Sequence, residues 1–371
     1  MLKRGQEIVT RVGFNPYRAD FDDQHFIDLA SNNYLGLARH ERVKEAAIRA
    51  IHEHGVSLCG TPVASGHSAL ARETARRLAA FCGLEAALLF PSGYQANNSV
   101  FALLGGPEDL MLIDRAAHAS LIAGVRFTGA KLWPFAHNSL EHLETLLKRA
   151  KGYRKIFIVT ESVFSTEGSL APLPDILALA RQFNALPVID DSHGLGVLGA
   201  TGCGVLAHFG VTDFPGIYTA SLGKALAGMG GMVAGSAAAM EELEYLCPGL
   251  IYSTALTPPM LGAINGALDV IARDFPERSA RLWRYKAIIA AALAGRQSGG
   301  EAPINAVACG DAERAIRLCA TLYQHGILST PFIEPSVPQN ACVVRLIAGA
   351  GLEEDAVHKA AACLRSVLTT P

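Results

Sequence analysis

The sequence predicts an α/β protein whose large domain holds a mainly parallel sheet covered by helices, with a smaller α+β domain after it. Two observations lead to this prediction. From about residue 85 to 240, short apolar runs alternate with longer stretches of helical period, which is typical of strands between covering helices. From about residue 303 onward the order becomes strand, helix, strand, strand, helix. A length of 371 residues suits this two-domain arrangement.

Seven short apolar runs are the candidate strands of the large sheet. Parallel strands in such a sheet end at one common edge, so side chains in the turns that follow them collect there. Several of these runs lead into a polar or glycine-rich turn, and the sequence therefore predicts a functional site at that edge. The runs cover residues 86–90, 110–113, 131–135, 156–160, 186–189, 216–220 and 232–235.

A proline pair marks the start of a helix that leads to the second domain. Pro258 and Pro259 open an apolar stretch that runs to about residue 275, and a helix tolerates proline in its first turn because those N–H groups lack partners. After an exposed turn at 297–300, apolar strands are expected near 304–308 and 343–347. The predicted parts are an N-terminal segment 1–45, a large domain 46–275 and a small domain 276–371.

Composition and charge favour a small-molecule partner over nucleic acid or a membrane. Half of the residues are hydrophobic, 18% are charged, and the formal net charge is −2. The eight cysteines include no C-x-x-C pair and do not cluster near histidines, so no metal site is expected and reduced thiols fit best. The N-terminus lacks the apolar core of a signal peptide, and a cytoplasmic protein is expected.

The strongest chemical pattern joins Asp190, Lys224 and the segment Ser92-Gly93-Tyr94, each placed after a candidate strand. A cofactor with a pyridine ring needs a carboxylate at its ring nitrogen, a lysine for its aldehyde and N–H donors for its phosphate. Asp190 closes an apolar strand, where a carboxylate is costly to bury without a cationic or hydrogen-bonding partner. A helix that begins after Ser92 offers such donors to a phosphate.

Each of these residues also has an ordinary structural interpretation. A lysine after a strand is usually solvated, and many strand-to-helix turns contain Ser-Gly. His118, before Ala-Ser, could simply cap a helix. Arg345 lies among apolar residues, which favours a buried anionic partner such as a substrate carboxylate, whereas Ser165 and Asn32 are weak signals individually.

The chain resembles the α-oxoamine synthases, pyridoxal-phosphate enzymes of the aspartate-aminotransferase fold, which is fold type I. These enzymes condense an amino acid with an acyl thioester and release carbon dioxide. The resemblance covers nearly the whole chain, and its matching segments lie in the same order: 31–37, Asp114, 118–120, 160–165, 190–193, Lys224, 251–254 and Arg345.

The resemblance implies a role for each matching residue. Lys224 would hold pyridoxal phosphate as a Schiff base and move the Cα proton, Asp190 would pair with the ring nitrogen, and His118 would stack on the ring. His193 and Ser165 would bond near the phenolic oxygen, and Arg345, helped by Asn32, would bind the substrate carboxylate. The phosphate would be held or flanked by Ser92, Gly93, Tyr94 and Ser221, with Ser253 and Thr254 reaching it from the neighbouring subunit of a homodimer.

Three positions depart from the family pattern. Ala71 and Ala75 stand where the family usually has a histidine and a glutamate, and Cys203 stands where it commonly has an arginine. These changes leave the acyl donor open, and a thioester on a carrier protein instead of coenzyme A is one hypothesis.

Three rival classes of protein make different demands on the sequence. An aminotransferase or lyase would use the same lysine and aspartate. A non-catalytic partner subunit would lack the lysine, so Lys224 argues against it. A dinucleotide-binding oxidoreductase is excluded because no G-x-G-x-x-G segment follows an early strand with an acidic residue about twenty positions on.

Overall fold

A computed structural model describes residues 2–16, 26–293, 295–298 and 300–369. In this part of the chain the helices are α1 Leu2–Val12, α2 Glu41–His54, α3 Ala69–Cys82, α4 Gly93–Leu104, α5 Ala119–Phe127, α6 Leu140–Arg149, α7 Leu173–Gln182, α8 Val205–His208, α9 Ala237–Leu246, α10 Pro248–Ile251, α11 Pro258–Ala292, α12 Ala312–Gln324 and α13 Glu354–Thr369. The strands are β1 Ile27–Asp28, β2 Ala86–Phe90, β3 Leu110–Asp114, β4 Lys131–Phe135, β5 Ile156–Glu161, β6 Leu186–Asp190, β7 Ile217–Ser221, β8 Gly231–Gly235, β9 Gln297–Ser298, β10 Asn305–Gly310, β11 Ile327–Leu328, β12 Thr330–Phe332 and β13 Cys342–Leu346.

The central sheet has seven strands in the order β2-β8-β7-β6-β5-β3-β4. The strands β7, β6, β5, β3 and β4 are parallel to one another, whereas β8 runs antiparallel to both β2 and β7. Both faces are covered, because successive residues of β5 join different cores: Val159 packs with Val188 on one face and Ile158 with Leu112 on the other. The predicted α/β fold with a mainly parallel sheet is confirmed.

A second sheet is antiparallel, with the strand order β12-β13-β10-β9. Its core contains Val344 of β13, Leu322 of α12 and Leu364 of α13, all fully buried. This arrangement is the α+β unit expected after residue 303. A further short parallel pair joins β1 and β11.

The contacts of the chain divide it into two compact units. The first contains residues 1–36, 165–170 and 277–371, and the second contains 37–164 and 171–276. The domain ranges given from the sequence stay a prediction.

Two local expectations were wrong. Helix α11 does not end near residue 275 but continues through Pro276 to Ala292. Proline removes one backbone hydrogen bond, and the continued burial of Leu282, Tyr285 and Ile289 along one face offsets this loss. Gln297–Ser298, expected in an exposed turn, forms β9 and pairs with β10.

None of the described helices has the length and apolar character needed to cross a membrane. Among the described residues, no group of three or more His, Cys, Asp or Glu side chains is placed to hold a metal ion. All eight cysteines are free thiols.

Candidate active site

The site is built at the edge of the central sheet where the parallel strands end. The register aligns Glu161 of β5 with Asp190 of β6, and Asp190 with Thr219 of β7. Asp190 is only 4% exposed, yet both of its oxygens accept hydrogen bonds: Oδ1 from the Ser192 N–H at 2.9 Å and Oδ2 from Asn97 Nδ2 at 2.7 Å. The strand end therefore holds a buried, oriented carboxylate, as the sequence predicted.

Lys224 lies in the turn that joins β7 to the antiparallel strand β8. The turn is tight, since Ala227 N–H bonds the carbonyl oxygen of Lys224 at 2.9 Å and Leu222 N–H bonds that of Gly230 at 2.9 Å. Ala227 and Gly230 adopt positive φ angles of 51° and 112°. Lys224 is half-buried, and its charge helps to lower the pKa of His118, as described below.

The N-terminus of α4 meets the strand ends in a closely packed backbone. Ser92 is the N-cap, and its Oγ accepts the N–H of Gln95 at 3.1 Å. A Cβ atom on Gly93 would lie 2.9 Å from Cβ of Ser221, and one on Gly231 would lie 2.6 Å from Cα of Gly93. The free N–H groups at this end of α4 therefore lie next to Ser221. Tyr94, in the first turn of the helix, is 53% exposed.

His118 is the N-cap of α5, so the ordinary interpretation of this residue is correct, and its role at the cofactor stays a prediction. Its Nδ1 atom accepts the Ser120 N–H at 3.2 Å. Although the residue as a whole is exposed, partial desolvation lowers the pKa of the His118 ring, and the Lys224 charge adds to this while Asp190 opposes it. His118 thus carries a neutral ring beside Asp190 and Lys224.

His193 is buried in the turn directly after Asp190, with 4% exposure. The turn is tied to the lysine strand, because Ser192 Oγ accepts the Ser221 N–H at 2.8 Å. Thr254 is exposed in the loop between α10 and α11.

Asn32, Ser165 and Arg345 belong to the first unit. Arg345, on β13, is 6% exposed; its Nη1 donates to the Ser165 carbonyl oxygen at 3.0 Å, and the guanidinium lies 4.9 Å from the Phe332 ring centroid. Burial lowers the pKa of Arg345. Its buried Nε and the buried Oδ1 of Asn32 make no hydrogen bond, and no carboxylate among the described residues pairs with Arg345. Such a guanidinium is suited to bind an external carboxylate.

Three residues at the strand edge were missed by the sequence analysis: Asn97, Glu161 and Asp191. Asn97 is buried on α4, where its neighbours Ala96 and Val100 are core residues, so a polar residue on the apolar face of a predicted helix was the available signal. Glu161 ends an apolar strand as Asp190 does. Burial and the nearby Asp190 raise the pKa of Glu161 well above its usual range, although Lys224 and the His118 N–H act in the opposite direction.

Asp191 is fully buried behind the site. Its Oδ1 accepts the Ser162 hydroxyl, and its Oδ2 accepts Tyr218 Oη at 2.6 Å and the Val205 N–H at 2.8 Å. Burial raises the pKa of Asp191 to about 6, against the opposing effect of these three donors. Through these three donors, the loop that contains His193 is connected to Ser162 directly after β5, to β7 and to α8.

Two of the positions that depart from the family pattern lie at a cavity in the second unit. Ala71 and Ala75, one turn apart on α3, line a space of about 390 Å³ together with β2, Met240 and Leu256. The small side chains at these two positions leave this space open.

A comparison with models of protein families assigns the class. Residues 24–364 match the model described as aminotransferase class I and II, and the chain belongs to this family. The fold agrees: serine palmitoyltransferase from S. paucimobilis superposes with a TM-score of 0.93 at 22% identity, covering 98% of this chain and 96% of that chain.

The sequence relatives narrow the class. The 8-amino-7-oxononanoate synthase of Geobacter sulfurreducens is 37% identical over 96% of this chain and 93% of its own, and 8-amino-7-oxononanoate synthase 1 of Bacillus subtilis is 34% identical over 91% and 86%. A solved 8-amino-7-oxononanoate synthase from Francisella tularensis matches at 26% identity with a TM-score of 0.78, covering 93% of this chain and 98% of that chain. The resemblance to the α-oxoamine synthases is confirmed.

The residues at the strand edge fit pyridoxal phosphate, the cofactor of this family. Asp190 offers a buried carboxylate to a ring nitrogen, and Lys224 offers an amine. Backbone without side chains at Gly93 and Gly231 leaves the N-terminus of α4 accessible to a phosphate, and a Cβ at either position would collide with protein atoms.

Proposed function

We propose that the protein catalyses the decarboxylative condensation of a small amino acid with an acyl thioester to give an α-amino ketone. The proposed reaction is that of 8-amino-7-oxononanoate synthase, an enzyme of biotin biosynthesis. Its sequence relatives carry this name. The observation that carries this proposal is the placement of a buried Asp190 at the end of β6 and of Lys224 after the neighbouring strand β7, in a chain of this family.

Pyridoxal phosphate, when bound, supplies an electron sink that stabilises negative charge on the substrate carbon next to the amino nitrogen. Asp190 keeps the ring nitrogen protonated, since its carboxylate is oriented by Ser192 and Asn97 and shielded from water. Ser92, Gly93, Tyr94 and Ser221 would hold or flank the phosphate at the N-terminus of α4.

Lys224 would hold the cofactor through its Nζ amine, and the same amine would move the Cα proton of the amino acid. Lys224 is half-buried, and desolvation together with its charge lowers the pKa of the His118 ring. His118 is expected to lie against the cofactor ring, and His193 and Ser165 near its phenolic oxygen.

Arg345 binds the carboxylate of the amino acid, with Asn32 as a helper. The proposal is supported by the burial of the guanidinium and by its hydrogen-bonding atom without a partner, because a buried cation needs an anion for stability. The carboxylate so oriented is the one released as carbon dioxide after the new carbon–carbon bond has formed.

The active form is proposed to be a cytoplasmic homodimer. Tyr245, Leu246 and Tyr252 are 71%, 54% and 83% exposed on α9 and the loop after α10, immediately before Thr254. Exposed apolar side chains grouped in one stretch of chain are typical of an interface, and Thr254 would then approach the phosphate in the neighbouring subunit.

The test is to incubate the purified holoenzyme with single amino acids and an acyl thioester, and to measure carbon dioxide and thiol release. Equal release of both, dependent on a small amino acid, is expected. Formation of a keto acid from the amino acid without any thioester would instead indicate an aminotransferase. Parallel assays with coenzyme A and carrier-protein thioesters identify the acyl donor.

A further inference from the structure

Asn97 makes a complete set of short hydrogen bonds between two predicted cofactor contacts. Its Nδ2 donates to Asp190 Oδ2 at 2.7 Å and to Ser120 Oγ at 2.9 Å, while its Oδ1 accepts the Thr219 hydroxyl at 2.6 Å. Ser120 Oγ lies 2.7 Å from Nδ1 of His118. We propose that Asn97 is a positioning residue that both orients the Asp190 carboxylate and fixes the tautomer of His118.

The orientation of the Asn97 amide is determined by its neighbours. A rotated amide would place Oδ1 against the Asp190 carboxylate, and two acceptors cannot share a hydrogen bond. Only the observed orientation gives both N–H groups an acceptor and Oδ1 a donor. Since Asn97 is 3% exposed, water cannot replace a lost partner without cost.

The tautomer of His118 follows from the direction of these bonds. Ser120 Oγ accepts one N–H of Asn97, so its own proton is available for Nδ1 of His118. The Ser120 main-chain N–H is directed at the same nitrogen. Nδ1 therefore acts as an acceptor, and the ring proton resides on Nε2.

The surroundings of His118 favour the same neutral form. The charged or titratable groups that face it are Asp190, Lys224 and Glu161, whose carboxyl group accepts the His118 main-chain N–H. Partial desolvation and the charge of Lys224 lower the pKa of His118, and only the charge of Asp190 raises it. Asn97 reduces the effect of Asp190 on the ring, because it occupies the carboxylate oxygen Oδ2 with its own N–H.

The inference deepens the proposed function, on which its catalytic consequence rests, but the tautomer itself does not depend on the substrate. Through Asn97, one amide sets the direction of the carboxylate at the ring nitrogen and keeps the stacking ring uncharged. A charged ring at that place would repel the protonated pyridine nitrogen.

The test is nuclear magnetic resonance of the holoenzyme labelled with ¹⁵N-histidine, in which the resonances of His118 are identified by their absence in His118→Asn. In the wild type at pH 8, where the lowered pKa leaves the ring neutral, the Nε2–H tautomer alone is expected. In Asn97→Asp, which is isosteric but lacks both N–H donors of the amide, the Nδ1–H form or the charged ring should appear, with at least a tenfold rise in proton affinity.

Ser120→Ala separates the two roles. It removes the hydroxyl at Nδ1 but leaves the bond from Asn97 to Asp190, so the His118 resonances should change while the absorbance of the bound cofactor keeps its pH dependence. In Asn97→Asp both should change. Thr128→Val is the matched control, since this buried hydroxyl bonds only the backbone at Val125 and Ala130, and neither signal should change.

An unchanged His118 tautomer and titration in both Asn97→Asp and Ser120→Ala would overturn the inference. If Asn97→Asp does not fold, Ser120→Ala alone decides on the tautomer. If the wild type shows no condensation activity, the proposed function is refuted, but the His118 resonances should still be as expected. The two failures are therefore distinguishable.

Discussion

Three carboxylates at the edge of the central sheet differ in the partners that hold them. Asp190 accepts two hydrogen bonds, Asp191 accepts three, and Glu161 accepts one from the His118 backbone. Burial raises the pKa of both Glu161 and Asp191. Adjacent residues are therefore expected to serve different tasks: Asp190 is the proposed partner of the cofactor ring nitrogen, whereas Asp191 bonds the groups behind the loop.

Lys224→Ala should abolish the Schiff-base absorbance band of the bound cofactor and the condensation activity, because the amine that would form the Schiff base is removed. Absorbance spectra of the purified protein check this. Lys155→Ala, at an exposed lysine before β5, is the control and should retain the spectrum. An unchanged spectrum in Lys224→Ala would refute the assignment.

Asp190→Asn keeps the size of the side chain but removes its charge, so the ring nitrogen would no longer be held protonated. Activity should fall by about a thousandfold, the magnitude typical of losing one oriented electrostatic contact. Steady-state kinetics measure this fall. A decrease of less than tenfold in a folded, cofactor-loaded variant would argue against the role of Asp190.

Asp191 should contribute a pH-dependent term to the free energy of unfolding. Its folded pKa of about 6 lies above the ordinary 3.8, so its protonated form stabilises the fold below about pH 4, and this contribution is lost as pH rises through 6. The loss is about 3 kcal/mol. Denaturant unfolding at pH 4 to 7 should show this dependence reduced in Asp191→Asn and retained in Asp213→Asn, an exposed control.

At the scale of elements, the N-terminus of α4 is closely packed against β7 and β8. Gly93, Ser221 and Gly231 approach one another so that no Cβ fits at either glycine without movement. The helix end is thereby fixed against β7 and β8, which places its free N–H groups at the strand edge.

Gly93→Ala should weaken cofactor binding and lower the free energy of unfolding by about 1–3 kcal/mol, because the added methyl overlaps Ser221. Thermal unfolding and titration with pyridoxal phosphate measure the two effects. Gly106→Ala is the control, since a Cβ there would meet no atom closer than 3.8 Å. Equal affinities in both variants would contradict the phosphate assignment.

The sequence was informative where the pattern is local. Apolar runs predicted the strands of the central sheet to within one residue at each end, because buried parallel strands are continuous and short. Helix α11 was predicted too short, since Pro276 is a local signal for an end whereas the burial that overrides it comes from distant residues. Asp190 and Lys224 were predicted as site residues from motifs, whereas Asn97 was not, because its bonds reach residues 23 to 122 positions away.

At the scale of the whole molecule, the predicted site residues are divided between two units. Asp190, His118, His193, Lys224 and the phosphate residues lie in the second, and Asn32, Ser165 and Arg345 lie in the first. Except for Ser165, the residues proposed to contact the cofactor therefore belong to the second unit and those proposed for the substrate carboxylate to the first, a division that the one-dimensional pattern could not reveal.

Tyr252→Asp should weaken self-association, because it places a charge in the exposed apolar stretch proposed as the dimer interface. Sedimentation velocity at several concentrations measures the change. Phe127, 75% exposed at the end of α5, provides the control substitution Phe127→Asp. A wild-type chain that sediments as a monomer would contradict the proposed homodimer.

The reversed direction of β8 has a practical consequence. Because β7 ends and β8 begins at the same edge, the segment from Ser221 to Gly231 departs from and returns to adjacent points, with no crossover helix between them. The lysine-bearing segment is thus a single connection between two paired strands. It should be transplantable between relatives as one piece, leaving the connections of the remaining strands untouched.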